Sequence, residues 1–271
     1  MKNSSVIKIF LGLLSVLLLS VASLGQWTSL GDFKTISGTS GGLYATNVYD
    51  PELANSITSL DDFVDRASAE IEISDQSDAA KMKILFDLVI ERLKHKEANH
   101  TFFSNWILFT LGQIHSVFLH VWDPDVLLAH GDVAYCDQSS YLLLTLAQHF
   151  NVPSRHVGLY GHVVMEAWYE DDWHLYDPDL EVIPEIEGEV LSVNELISSP
   201  EVLQEFYGHD DHVMEIFLSK ENNTFVSYPV GARFEWKANV LAILERVSEV
   251  LEFIVPIVVL FSLLVFKKKQ S

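Results

Sequence analysis

Six apolar residues, Met82, Leu85, Phe86, Val89, Ile90 and Leu93, recur at intervals of three or four. They make one stripe on a helix predicted over residues 78–94, and Ser77 stands where its hydroxyl can cap it. Ser59 caps a shorter predicted helix that runs to about Ile71, with Asp62 in the first turn. The helical period returns after Tyr135-Cys136-Asp137. Leu142, Leu143, Leu146 and Phe150 share a face there, until Asn151-Val152-Pro153 stops the helix near His149. Downstream, residues 155–159 and 162–169 read as strands. Glu170-Asp171-Asp172 then turns the chain back into a strand over 173–177. The pattern specifies an α+β chain with N-terminal helices packed on an antiparallel sheet.

The register of the hairpin follows from where it turns, and a turn centred on Asp171 and Asp172 would need a bulge to bring His162 and Asp177 within reach. With Glu170 and Asp171 as turn centres, Val164 faces Asp177 and His162 faces Asp179. His162 and Asp177 then share a face one diagonal step apart. That separation is about 7–8 Å between Cα atoms, within reach of a side-chain pair.

The two ends carry a different pattern. Lys2 and Lys8 precede an apolar run of 16 residues from Ile9 to Leu24, ending in small residues that suit processing. The run is short of the ~20 residues that span a bilayer, so a cleaved secretory signal is favoured over a retained anchor. Residues 251–266 are apolar apart from Glu252 and Ser262 and abut three lysines, the layout of a membrane helix with a basic cytoplasmic tail. Residues 237–250 have helical spacing and lead into it. Residues 101–122 lack Lys, Arg, Asp and Glu. They read as a buried helix or a surface resting on the membrane rather than as a third span, because polar residues interrupt them. The resulting division is signal or anchor over 1–25, linker over 26–55, folded domain over 56–215, membrane-proximal segment over 216–249, transmembrane helix over 250–266 and tail over 267–271.

Charge narrows the picture. The chain of 271 residues has a formal net charge of -21, and all 38 acidic residues follow position 26. This argues against nucleic acid as a partner, since phosphate binding needs clustered Lys and Arg. One cysteine among the 271 residues leaves a free thiol and no internal disulfide. His115 and His120 are five apart, off the spacing of a helical metal pair, so neither a metal nor a cofactor is expected.

The chemistry concentrates in Gly131–Asp179. Cys136 falls at a helix start, where unpaired N–H groups and the positive helix end favour a thiolate and can receive an oxyanion. His162 is placed to take the thiol proton, and Asp177 to fix the imidazole tautomer. Singly, each has a plainer explanation: a small buried hydrophobe, a structural histidine, a turn residue before Pro178. Together, in that order and on those elements, they form a candidate catalytic triad. Glu166, His156, His174 and Tyr135 are weaker candidates for supporting roles.

These residues resemble the transglutaminase-like superfamily of papain-like thiol enzymes, in particular a membrane-anchored bacterial-type member. His162, Glu166, Trp173 and Asp177 keep that family's spacing, with Trp173 eleven residues after His162 and Asp177 four after Trp173. Asp177-Pro178-Asp179 matches its Asp-Pro ending. Val164 and Met165 depart from the Trp and Asn common there, and the glycine lies farther from Cys136 than usual. The resemblance covers about 50 residues strongly and leaves residues 181–236 unmatched. It implies a papain-like core with Cys136, His162 and Asp177 as the triad and a protein or peptide as substrate. The expected function is an exported, membrane-anchored thiol enzyme that cleaves or transfers amide bonds through a thioester. The alternative is an inactive binding or scaffold module at the membrane. Lysines flanking both terminal segments put the acidic body on the extracytoplasmic side. Oligomeric state leaves no mark in the sequence.

Overall fold

A computed structural model describes residues 2–33, 48–159, 161–218 and 235–268. In chain order its elements begin with helices α1 (Lys2–Trp27), α2 (Pro51–Ser56), α3 (Leu60–Glu72) and α4 (Asp78–Arg92), followed by strand β1 (Lys94–His95). Helices α5 (Trp106–Gly112) and α6 (Pro124–His130), strand β2 (Val133–Ala134) and helix α7 (Cys136–His149) come next. Strands β3 (Ser154–Gly158), β4 (Val163–Tyr169), β5 (Asp172–Tyr176), β6 (Glu185–Ile186) and β7 (Glu189–Val190) follow. Helices α8 (Val193–Ser198), α9 (Pro200–Tyr207), α10 (Asp211–Leu218) and α11 (Glu235–Lys268) complete the chain. The chain divides into two units: residues 1–34, 99–123 and 240–271, and residues 35–98 with 124–239.

In the second unit the caps form where the sequence places them. Ser59 Oγ accepts the Asp62 N–H at 3.1 Å, and Asp62 accepts the Thr58 N–H in return. Ser77 Oγ accepts from Ala80. Such caps contribute about 1 kcal/mol each. Helix α4 ends at Arg92, two residues before the pattern predicts. Lys94 and His95 leave the helix to pair in parallel with Val133 and Ala134, forming a two-stranded sheet.

The sheet β3-β4-β5 is antiparallel throughout. Tyr169 pairs with Asp172, and Glu170 and Asp171 have φ of +52° and +65°, the conformation of a two-residue primed hairpin turn. Helix α7 packs on β3 and β4, and Ser140 Oγ donates to the Val163 carbonyl at 3.1 Å. A cluster of Val157, Val164, Leu175, Leu203, Tyr207 and Phe217 ties the sheet to α9 and α10. Each such side chain contributes about 1.5–3 kcal/mol by leaving water. The chain is thus α+β, with helices on an antiparallel sheet.

Two helices are long and apolar enough to cross a membrane, over Val6–Trp27 and Glu235–Val265, and the first unit holds the former and the latter from Val240 onward. Residues 101–122 form no long buried helix. They make the seven-residue α5, in which only Leu108 is buried, and a 3₁₀ turn over Ser116–Phe118. The polar interruptions explain it. Asn105 caps α5 and His115 caps the 3₁₀ turn, so each begins a new short element. Glu245 of α11 accepts the Trp122 and Asp123 N–H groups at 2.8 and 2.9 Å and contacts His100 Nε2 at 3.0 Å. Arg246 forks onto Asp123. Pro256 lies inside α11 and cannot donate to the Glu252 carbonyl, which instead accepts the Trp106 indole N–H at 3.3 Å.

Residues 34–47 and 219–234 lie outside the described residues. With them lie most of the Gly- and Ser-rich linker, much of the membrane-proximal segment and the end of the basic tail.

Candidate thiol site

Cys136 is the first residue of α7, with Tyr135 as its N-cap. Its helix start is held by Gln138, whose Oε1 accepts the N–H groups of Tyr135 and Ala98 at 3.0 Å each. Gln138 Nε2 donates to the Ala98 carbonyl at 2.9 Å. That amide is fully used as a brace. Cys136 thereby stands at the positive end of the helix.

His162 sits just before β4. The loop that delivers it turns through Gly161 at φ +130°, a region that a side chain would strain. Leu159 N–H closes this loop on the His162 carbonyl at 2.8 Å. His162 Nε2 lies 2.7 Å from Asp177 Oδ2. Asp177 is fully buried and has two further donors, Tyr207 Oη on Oδ2 at 3.1 Å and Leu180 N–H on Oδ1 at 3.2 Å. The register explains the contact: β4 and β5 pair Met165 with Tyr176, so their continuation sets Val164 opposite Asp177, and His162 reaches it diagonally.

Cys136, His162 and Asp179 each bring one donor atom to within 4.8 Å of the other two, and all three residues are buried. The sequence-predicted Cys136, His162 and Asp177 are therefore brought together. Asp179 joins them and is itself paired, its Oδ1 2.6 Å from His95 Nδ1. The cysteine thus lies beside two histidine–aspartate pairs. Asp179 carries a legible signal, since it alternates with Asp177 and faces His162. His95 carries none: it arrives through a two-residue parallel pairing across 39 residues. Tyr207 comes from the segment for which the sequence offers no match.

The electrostatics modify the expectation of a thiolate. Burial pushes the Cys136 thiol up to about 11, against the lowering effect of His162. Burial alone would lower His162, but the Asp177 charge and hydrogen bond outweigh it and hold the imidazole well above its ordinary value. At neutral pH the resting pair therefore carries both protons. The hydrogen bond to Asp179 raises His95, and burial raises Asp179 itself. With Cys136 only 7% exposed, the site is closed at rest.

The weaker candidates lie elsewhere or serve the frame. Glu166 is buried, bridges to Arg155 at 2.6 Å and accepts the Val193 N–H at 2.8 Å, tying β4 to α8. His174 contacts the carbonyls of Val190 and Tyr169. His156 is buried near Tyr141, and burial lowers it to about 4, so it is neutral. Tyr135 is half exposed with its ring 5.2 Å from that of His95. His115 caps a turn and His120 packs on Trp122.

No protein-family model, curated protein or solved structure matches this chain.

Proposed function

We propose that this chain is a membrane-anchored, transglutaminase-like thiol enzyme that cleaves or transfers amide bonds of a protein or peptide. One observation carries the reading: Cys136 at a helix start has its sulfur within 4.8 Å of a ring nitrogen of His162, whose Nε2 is held by Asp177 at 2.7 Å. His162 Nε2 is committed to Asp177, so Nδ1 is the nitrogen that faces the chemistry. One proton must leave the doubly protonated pair before attack. The thiolate then adds to the carbonyl, the first-turn N–H groups take the oxyanion, and His162 protonates the leaving amine. The thioester passes its acyl group to water or to a second amine. Hydrolysis is the default, since water is the acceptor always present. The acidic body stands on the extracytoplasmic side, opposite the C-terminal lysines.

A second reading, a catalytically inactive binding or scaffold module, is favoured by the burial of Cys136. Alkylation separates the two. If His162 lowers the thiol pKa, His162→Ala slows iodoacetamide labelling of Cys136 at pH 8–9 by at least about tenfold. If Cys136 only fills the core, removing the imidazole opens the site and labelling stays equal or quickens.

A further inference from the structure

The second histidine–aspartate pair is unused by the acyl-transfer chemistry, and it shares its aspartate with the surroundings of the thiol. Sγ of Cys136, a ring nitrogen of His162 and a carboxylate oxygen of Asp179 converge from α7, the start of β4 and the end of the hairpin. We propose that these three bind one zinc ion, which occupies the nucleophile and its base together and so switches the site off.

The donor set fits zinc. A thiolate, an imidazole nitrogen and a carboxylate oxygen are its usual ligands, and three protein ligands leave a fourth position for water. Tetrahedral zinc sets its ligand atoms about 3.3–3.8 Å apart, so the observed spread within 4.8 Å closes by small side-chain rotations. Each nitrogen and oxygen ligand is already held from behind. Asp177 fixes His162 through Nε2 at 2.7 Å, and His95 fixes Asp179 through Oδ1 at 2.6 Å. Carboxylate–histidine partners of this kind orient metal ligands and sustain affinity. As the zinc–sulfur and zinc–nitrogen bonds form, the Cys136 S–H bond and the N–H bond of the ligating His162 nitrogen break, and both protons pass to solvent. No residue is oxidised. The inhibitory meaning rests on the thiol-enzyme reading, whereas the metal site itself does not.

The test uses the full chain in detergent, with cobalt as a spectroscopic probe and zinc as competitor. We expect one cobalt per chain with a near-ultraviolet thiolate-to-cobalt absorption, lost in Cys136→Ser and bleached by equimolar zinc. Zinc is expected to slow iodoacetamide labelling of Cys136 by at least tenfold. Asp179→Asn weakens cobalt binding by at least tenfold, and so does His95→Gln, which leaves all three ligands in place. Absence of the absorption in the native chain overturns the proposal, as does zinc that leaves labelling unchanged. Equal cobalt affinity in a folded Asp179→Asn chain overturns it as well. A cobalt band in a chain whose labelling is indifferent to His162→Ala keeps the metal site and removes the enzyme.

Discussion

At the level of single residues, two buried groups decide most. The first is Cys136. Because burial raises its thiol to about 11, the thiolate fraction at pH 7 is small and grows tenfold with each pH unit. Iodoacetamide labelling of the native chain, with no metal added, is expected to rise steeply from pH 7 to 9. A plateau already reached at pH 7 would mean that the imidazolium ion pair forms at rest. The second is Arg92, fully buried on the inner side of α4. Its guanidinium donates to the carbonyls of Ile57, Leu128 and Gly131 at 2.9–3.0 Å, and burial lowers it only to about 10, so it remains charged. Arg92→Met leaves three buried acceptors without this donor and is expected to cost at least about 3 kcal/mol in denaturant unfolding. A loss under about 1 kcal/mol would show that water replaces the guanidinium. Nothing in the local pattern marks this residue: an arginine in the last turn of a helix ordinarily faces solvent.

Among the elements, those governed by short-range rules were legible. Ser59, Ser77 and the Glu170-Asp171 turn act within a few residues of chain, and the helix opening at Cys136 starts where the pattern breaks. What escaped depends on distant partners. Helix α4 loses its last two predicted residues to a parallel pairing with Val133 and Ala134, which no local period announces. Helix α1 likewise extends past the expected cleavage sites to Trp27, with Ser15, Val21 and Ala22 buried. A side chain at Gly25 would strike the Phe103 backbone, and Gly12 leaves room beside Leu263. Contacts of this kind would hold the segment as a retained anchor, the second of the two expectations the sequence offers. Intact mass of membrane-purified protein is therefore expected to include residues 2–27. A mature chain that begins near residue 26 would restore the cleaved-signal interpretation.

For the molecule as a whole, two helices are long and apolar enough to cross a bilayer. Removing residues 250–271 is expected to leave the chain in the pellet after alkaline carbonate extraction. Its release would show that α1 does not hold by itself. The net charge of -21 argued against nucleic acid but could not name a substrate, because an acidic surface serves many soluble domains. The grouping of Cys136, His162 and Asp177 was readable because the three residues lie on one helix start and one hairpin. The aspartate's third partner, Tyr207, was not, because its link to Asp177 spans 30 residues and leaves no periodic trace.

That tyrosine has a consequence for the order of synthesis. Cys136, His162 and Asp177 all leave the ribosome before residue 207, yet the hydroxyl that completes the Asp177 shell belongs to α9. A nascent chain stalled short of that helix holds Cys136, His162 and Asp177 and lacks this donor. Asp177 therefore gains its full set of hydrogen bonds only when a segment made later docks on it.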